Sequence, residues 1–301
     1  LIKGLKGSEI LYEHEVKQIF KDDEGIFNVV CSNAKVLKAK AVIIATGGLS
    51  YPSTGSTGDG YEFSKAFGHS VSPCFPSLTP IELKNEWIAA LEGLSLKNVE
   101  LRLYKGNKVV WSDFGEMLFT RKGISGPIVL SLSSFLAGKN IEDFTLKLDM
   151  KPALTNEMLE KRLINEFKLN NRKILKSILP SLFPKSMADI FDRISDIDFN
   201  VSCSQISHET RNKLINSIKN IDLSPASLAP FREAVITRGG VDVKELSPKT
   251  MMSKLVKGLF FAGEVIDVDA LTGGYNLQIA FSSGASAGHY AGEYIINEEY
   301  K

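Results

Sequence analysis

The chain has 301 residues, of which 44% are apolar and 24% are charged, a composition typical of a soluble globular protein with room for about two domains. Lys and Arg number 36 against 35 Asp and Glu, which argues against a dedicated nucleic-acid binder and a polybasic membrane anchor. No apolar run approaches the roughly 20 residues of a membrane-spanning helix. The three cysteines are scattered and form no CxxC motif, so we expect a reducing, cytoplasmic setting without disulfides.

The N-terminal part of the chain is predicted to be mostly β-structure. A first strand is expected to begin at Ile10 and Leu11, and a hairpin is expected to pair residues 16–20 with residues 26–31. The continuous apolar run at 41–45 is typical of a strand that is buried on both faces.

Beyond this strand the pattern changes twice. A loop of small residues at 50–60 precedes a short predicted helix at 61–67. Short β-segments then dominate residues 73–150, which indicates a small antiparallel sheet or barrel, interrupted by one helix at 128–136.

The remaining third of the chain is predicted to be helical first and α/β afterwards. Residues 152–220 have helical spacing of apolar side chains, with Thr155 and Ser207 as helix N-caps. A second buried strand is predicted at 259–263, followed by a long helix at 276–294 whose Ala and Gly residues favour close packing on a sheet.

A glycine-rich segment follows each buried strand. Small residues at 45–48 allow a ligand to approach the backbone, and ligands of open α/β sheets bind beyond the carboxyl ends of strands. After the second strand, the carboxylate of Glu264 can accept hydrogen bonds from a sugar-like hydroxyl. Residues 272–274 lead into a helix N-terminus, which suits an electron-rich group. Simple turns and acidic residues on a solvated face remain the alternative interpretation of both segments.

Together these segments resemble the HI0933-like (BaiN/RdsA-type) FAD-dependent oxidoreductases. The resemblance is carried by AVIIATGGLSYPSTGSTGDGYEFSKAFGHS at 41–70 and by GLFFAGEVIDVDALTGGYNLQIAFSSGASAG at 258–288. Shorter matches are GEMLFTRKGISGP at 115–127, AVITRGGV at 234–241 and PKTMMSKL at 248–255. The matches cover nearly the whole chain in order, and they are far more specific than an isolated GxGxxG.

The resemblance implies an α/β fold: an interrupted Rossmann-like FAD-binding domain with an inserted small β-barrel and a helical subdomain. Residues 1–75 would form the first part of the FAD-binding domain and 76–150 the barrel. Residues 151–222 would form the helical insert, and 223–301 the return to the barrel and the rest of the FAD-binding domain. The family's N-terminal strand–GxGxxG–helix unit is absent, because GSTGDG at 55–60 has the wrong spacing. We therefore expect the chain to be a fragment that binds FAD weakly or not at all.

The resemblance also implies a set of FAD-contacting residues, which are Val16, Ala45, Thr46, Gly47, Gly48, Gly263, Glu264, Gly274, Tyr275, Asn276, Leu277 and Gln278. The backbone of Val16 would lie beside the adenine, and residues 45–48 near the nucleotide. Gly263 and Glu264 would meet the ribityl or pyrophosphate region. Residues 274–278 would face the isoalloxazine, with the helix N-terminus at its N1–C2=O edge, where negative charge develops on reduction.

No catalytic residue and no metal site stands out in the sequence. Met252 occupies the position of the family's Glu in its TMES motif, and Arg121 that of a common His after LFT, so the roles of that Glu and His are not carried over. His69 is assigned to helix capping or packing in preference to catalysis. The four histidines are scattered and lack metal-ligand spacing.

The expected function is electron transfer from NAD(P)H through FAD to a small organic substrate, with no membrane partner. One alternative is a flavin-dependent oxidase of a small amine such as aminoacetone. Another is a flavin-binding redox sensor whose helical insert contacts nucleic acid. Residues 156–185 carry seven Lys and Arg against three Glu, but a solvated helix face is favoured over nucleic-acid contact. The sequence leaves the substrate and the oligomeric state open.

Overall fold

A computed structural model of the chain describes residues 7–299. The strands in this range are β1 (Val16–Lys21), β2 (Phe27–Cys31), β3 (Val36–Ala39), β4 (Val42–Ile44), β5 (Val71–Ser77), β6 (Ile81–Leu83), β7 (Ser95–Lys105), β8 (Lys108–Phe119), β9 (Gly123–Ser125), β10 (Phe144–Asp149), β11 (Ile221–Leu223), β12 (Pro225–Leu228), β13 (Ile236–Val241) and β14 (Leu259–Phe261). The helices are α1 (Asp59–Ala66), α2 (Pro127–Leu136), α3 (Asn156–Leu169), α4 (Lys185–Ile190), α5 (His208–Lys219) and α6 (Tyr275–Glu299). None of the helices described has the length and apolar character needed to cross a membrane.

The chain folds into two units, one of which interrupts the other in sequence. The first unit consists of Leu1–Cys74 and Thr237–Lys301, and the second consists of Phe75–Ile236. The interrupted α/β organisation that the resemblance implies is therefore confirmed.

The first unit is built on a parallel pair of strands and an antiparallel sheet. β4 and β14 are parallel, with Ile44 opposite Phe261, and β1, β2 and β3 form a separate antiparallel meander. β14 is fully buried, as its apolar run predicts. The prediction that β4 is buried on both faces is wrong, because Ile43 is 40% exposed. Among the described residues, β4 has a hydrogen-bonded neighbour strand on one side only.

The strand predicted to begin at Ile10 and Leu11 is also not formed. Both residues lie in irregular structure, followed by a turn at Tyr12 and Glu13. Glu13 adopts a positive φ of 59°, which is incompatible with an extended strand. The hairpin that follows forms as predicted, with β1 and β2 paired from Val16–Cys31 to Lys21–Phe27.

The second unit contains an antiparallel sheet in the order β11-β10-β7-β8-β9-β6-β12. β11 and β12 lie at opposite ends of this order, yet only Ser224 separates them in the chain. One continuous stretch of chain therefore joins the two ends of the sheet, which is the barrel-like closure that the sequence predicts. The long strands β7 and β8 bury Leu101, Leu103 and Met117 in the main core of the unit.

Two of the helices inserted after β10, α3 and α5, begin at the predicted N-caps. The hydroxyl of Thr155 accepts a hydrogen bond from the N–H of Met158 at 3.3 Å, and Ser207 caps α5 through the N–H of Thr210 at 3.1 Å. Each such cap contributes about 1 kcal/mol to helix stability. The apolar face of α3 is buried in the same core as the sheet, so the helical segment is an integral part of the second unit.

Candidate functional site

The carboxyl ends of β4 and β14 lie side by side in the first unit. The two strands run in parallel, and the N–H of Ala262 donates to the carbonyl of Ile44 at 3.0 Å. The segments that leave these strands, residues 45–48 and 263–264, therefore start at the same edge of the strand pair. The structure thus brings together two of the glycine-rich segments that the sequence singled out.

Hydrogen bonds to the side chain of Thr237 fix the position of the segment that follows β4. Its Oγ1 accepts hydrogen bonds from the N–H groups of Leu49 at 2.8 Å and Ser50 at 3.0 Å. Its own N–H donates to Oε1 of Glu264. A Cβ on Gly48 would lie 2.5 Å from Thr237 Oγ1, so only glycine allows this approach without a shift. Sequence reasoning did not identify Thr237, because its partners Leu49 and Ser50 lie more than 180 positions away.

Glu264 is a carboxylate held inside this arrangement. Burial raises its pKa above the ordinary value, and the hydrogen bonds from Thr237 act in the opposite direction. The sequence suggested Glu264 as an acceptor for sugar-like hydroxyls. In the structure, one of its oxygens accepts the N–H of Thr237, so a ligand would share this carboxylate with the protein backbone.

A buried hydroxyl without a partner lies next to the same strand ends. Oγ1 of Thr46 has no hydrogen-bond partner within the described residues. A Cβ on Gly60 would approach it to 2.1 Å, so α1 packs directly against this side chain. A buried polar group of this kind costs about 1–3 kcal/mol when it stays unpaired, and a bound ligand is one explanation for it.

The start of α6 presents unpaired backbone donors. The N–H of Gln278 donates to the carbonyl of Gly274 at 3.0 Å, so the amides of residues 275–277 have no partner of their own in the helix. The side chain of Asn276 fixes the preceding loop, since it accepts the N–H of Ala270 at 2.9 Å and donates to the carbonyl of Ala270 at 2.8 Å. These amides and the helix dipole favour an electron-rich ligand group.

α6 contacts the end of β14 through residues of its second and third turns. The N–H of Gly263 donates to Oγ of Ser283 at 3.0 Å, and a Cβ on Gly263 would lie 3.9 Å from the Cβ of Ala280. Since a helix rises about 1.5 Å per residue, α6 begins about 8 to 12 Å along its axis from these two contacts. Tyr275 and Leu277 in that turn are exposed.

Val16 occupies a different place from the other predicted contact residues. It begins β1, where it pairs with Cys31 in the antiparallel meander. Its side chain packs against the apolar core that also contains Ile44 and Phe261. No hydrogen bond of the described residues joins Val16 to the segments that leave β4 and β14, so a role beside the adenine stays a prediction.

A cleft of about 560 Å³ runs along one flank of α6. Its walls come from the segment after β13, from the segment after β14 and from α6 itself. The lining residues are all uncharged: Val243, Leu246, Pro248, Met251, Ile266, Val268, Gln278, Ile279, Ser282, Ser283 and Ser286. Gln278 is both a lining residue and a predicted flavin contact, so the cleft begins at the start of α6.

A buried hydrogen-bond network links His69, Glu245 and Ser253. His69 Nδ1 lies 2.9 Å from Oε2 of Glu245, and its Nε2 lies 2.8 Å from Oγ of Ser253. Ser253 Oγ also accepts the N–H groups of Leu255 and Val256. Both lone pairs of that oxygen are therefore used, so the hydroxyl donates to Nε2, and the Nδ1–H of His69 donates to Glu245.

This arrangement has the connectivity of a hydrolase triad but not its accessibility. Ser253 is 2% exposed and the His69 side chain is fully buried, so no substrate can reach the serine oxygen. Burial acts to raise the pKa of Glu245, but hydrogen bonds from Ser70 and His69 outweigh it and leave the pKa below its ordinary value. The network holds the segment that supplies one wall of the cleft.

Metal-ligating side chains do not converge within residues 7–299. No group of three or more His, Cys, Asp or Glu in this part of the chain has the geometry to hold a metal ion. The cysteines Cys31, Cys74 and Cys203 are free. Nε of Arg238 lies 3.7 Å from Oδ1 of Asp269, so these two side chains form an ion pair.

Comparison with known proteins finds one family model and several curated relatives that match most of the chain. Residues 4–290 match the model of the HI0933-like protein Rossmann domain. A Haemophilus influenzae protein named ribosomal RNA dihydrouridine synthase is 34% identical over 281 residues, which cover 92% of this chain and 67% of that protein. An Escherichia coli protein of the same name is 32% identical over 269 residues, covering 89% of this chain and 64% of that protein.

A third relative has a different name. The 3-dehydro-bile acid delta(4,6)-reductase of Clostridium scindens is 30% identical over 267 residues, which cover 88% of this chain and 65% of that protein. The chain spans about two thirds of the length of these three relatives.

Proposed function

The chain belongs to the HI0933-like Rossmann-domain family, and from this membership we propose that it forms the greater part of a flavin-dependent oxidoreductase. The observation that carries the proposal is the placement of the two strand ends and of the α6 start in one unit. Residues 45–48 and 263–264 leave neighbouring parallel strands, and the unpaired amides of α6 lie about one and a half turns beyond them.

We propose that the reaction is the reduction of a carbon–carbon double bond conjugated to a carbonyl group. The names of the relatives support this class. Forming dihydrouridine saturates a double bond next to a carbonyl of uracil, and a delta(4,6)-reductase of a 3-dehydro-bile acid saturates double bonds conjugated to a ketone. NAD(P)H is the electron donor in this proposal, and FAD is the cofactor.

The residues present fit the ring end of a flavin. The amides of residues 275–277 are donors without partners in the helix, and an N1–C2=O edge is an acceptor that gains negative charge on reduction. Gly274 has a positive φ of 88°, and no described atom lies within 4 Å of the place where its Cβ would stand. For the pyrophosphate end, the resemblance implies a strand–GxGxxG–helix unit upstream of this chain, which we propose as the remaining part of the cofactor site.

The chain's own contribution to the chemistry is positioning and electrostatics. When bound, the flavin would supply the hydride chemistry of this reduction, and an acid or solvent would supply the accompanying proton. The α6 amides would stabilise the negative charge of the reduced ring. Asn276 holds those amides in place through its two hydrogen bonds to Ala270.

The test is an anaerobic flavin experiment on the protein with its natural upstream sequence restored. After loading with FAD, NADPH should bleach the flavin absorbance, and cyclohex-2-enone should restore it while cyclohexene does not. Bleaching by aminoacetone, with hydrogen peroxide released in air, would instead support the amine oxidase. An FAD-loaded protein that neither NADPH nor NADH reduces would contradict the proposal.

A further inference from the structure

The cleft beside α6 has the size of a small-molecule site. Its volume of about 560 Å³ falls within the range of about 300–1,000 Å³ that ligand pockets occupy. The α6 side of the cleft extends from Gln278 to Ser286, about 12 Å along the helix. This length matches a molecule of three or four fused rings or a short extended chain.

The uncharged lining of the cleft favours a neutral ligand. No lining side chain is charged, and three charged side chains of the segment after β13 are engaged elsewhere. Glu245 is bonded to His69, the ammonium of Lys254 donates to the carbonyl of Lys244, and that of Lys249 lies over the ring of Tyr290. A phosphate or carboxylate beside Val243 and Met251, away from the start of α6, would therefore lose its hydration without gaining a charged partner.

The serine hydroxyls of the α6 wall already form hydrogen bonds with other groups of the protein. Ser283 Oγ accepts the N–H of Gly263 and donates to the carbonyl of Ile279, and Ser286 Oγ donates to the carbonyl of Lys249. Ser282 Oγ accepts from the side-chain amide of Gln278 at 3.0 Å. These groups offer a ligand little unpaired polarity, so apolar contact must supply the affinity.

The wall opposite α6 is apolar and partly exposed, and one of its residues has an unusual backbone conformation. Val243 is 43% exposed and Val268 is 40% exposed at the cleft. Met251 has a positive φ of 59°, a strained conformation that clusters at ligand sites. Its unbranched side chain adapts readily to the shape of an apolar partner.

We infer that the cleft between α6 and Val243, Met251 and Val268 binds a neutral, mainly apolar small molecule up to about 12 Å long. The site goes beyond the proposed electron transfer, because binding there requires no flavin. Its end at Gln278 lies beside the predicted ring contacts of α6.

The test measures binding of the neutral dye Nile red to the purified 301-residue chain by fluorescence. Progesterone, a neutral four-ring molecule, should displace the dye, whereas uridine monophosphate should not. The variant Val243→Asp should bind Nile red about tenfold more weakly or worse, because it places a charge in the apolar cleft. Val109→Asp is the matched control, since Val109 is equally exposed but lies on β8 in the other unit, and it should bind like the parent chain.

A second pair of variants keeps the test decisive if Val243→Asp fails to fold. Ser282→Trp should fill the cleft and weaken dye binding by about the same factor, whereas Ala285→Trp, on an α6 residue outside the lining, should not. Equal dye binding by the cleft variant and its control would overturn the inference, as would equal displacement by uridine monophosphate and progesterone. Neither result depends on flavin binding, so failure here is distinguishable from failure of the proposed reductase function.

Discussion

A Cβ on Gly48 would lie 2.5 Å from Oγ1 and 2.7 Å from Cβ of Thr237. This close approach joins the end of β4 to the first residue of the segment that returns to the first unit. Because Thr237 also accepts the N–H groups of Leu49 and Ser50, the backbone after β4 is fixed by a side chain distant in sequence. The conformation of the predicted nucleotide-contacting segment therefore depends on both residues.

Gly48→Ala should destabilise the chain, because the added methyl group has to displace Thr237. We expect a loss of about 1–3 kcal/mol in the free energy of unfolding, measured by urea denaturation. The control is Gly292→Ala on α6, where a Cβ meets no atom within 4 Å. This change should stabilise the helix by about 0.5–1 kcal/mol. Equal effects of the two substitutions would contradict the close approach at Gly48.

Ser253→Ala should loosen the segment that forms one wall of the cleft. It removes the acceptor for the N–H groups of Leu255 and Val256 and leaves Nε2 of His69 without its donor. We expect a loss of about 2 kcal/mol in the free energy of unfolding and faster amide hydrogen exchange at these two positions. Unchanged exchange at Leu255 and Val256 would show that the network does not hold the segment.

Glu245→Gln should change the acid dependence of stability. The pKa of Glu245 is lowered from its ordinary value of 4.5 in the folded chain, so the folded state binds fewer protons than the unfolded state below that pH. Its contribution to stability is fully present above about pH 4.5 and is lost as the pH falls through the lower folded-state pKa. The parent chain should therefore lose more stability on acidification than Glu245→Gln in urea titrations from pH 7 to pH 3. Parallel pH profiles would contradict this assignment.

Gly274→Val should abolish flavin binding in the protein with its natural upstream sequence restored. The residue has a φ of 88° and open space beyond its Cα, so valine strains the backbone and fills the space in front of the α6 amides. The control is Gly93→Val in the second unit, where φ is 84° and no atom lies within 4 Å of a Cβ. Visible absorbance of the purified variants measures FAD occupancy, and full occupancy in Gly274→Val would refute the placement of the ring.

Local signals in the sequence predicted much of the fold. The apolar runs that form β4 and β14, the N-caps at Thr155 and Ser207 and the start of α6 are each specified by a few neighbouring residues. The strand at Ile10 failed because an apolar pair alone does not supply a pairing partner, and Glu13 turns the chain. The exposure of Ile43 could not be read from its apolar neighbours either, since exposure depends on which strands lie beside β4.

The candidate site was predictable only in its glycine-rich parts. Small residues after a buried strand signal a close approach, and the structure has one at Gly48, whereas a Cβ on Gly263 would make only an ordinary contact at 3.9 Å. Thr237 and Ser253 carry no local signal, because each also bonds to residues more than 180 positions away: Thr237 to Leu49 and Ser50, and Ser253 to His69. The cleft was not predicted, since its walls come from three separated segments.

The most direct test of the account is a visible-spectrum titration with FAD. It compares the 301-residue chain with the same protein after its natural upstream sequence is restored. We predict that the restored protein binds FAD with a perturbed flavin spectrum, and that the shorter chain binds it weakly or not at all. If neither protein perturbs the flavin spectrum at saturating FAD, the strand ends and the α6 amides do not form a flavin site, and the central claim is wrong.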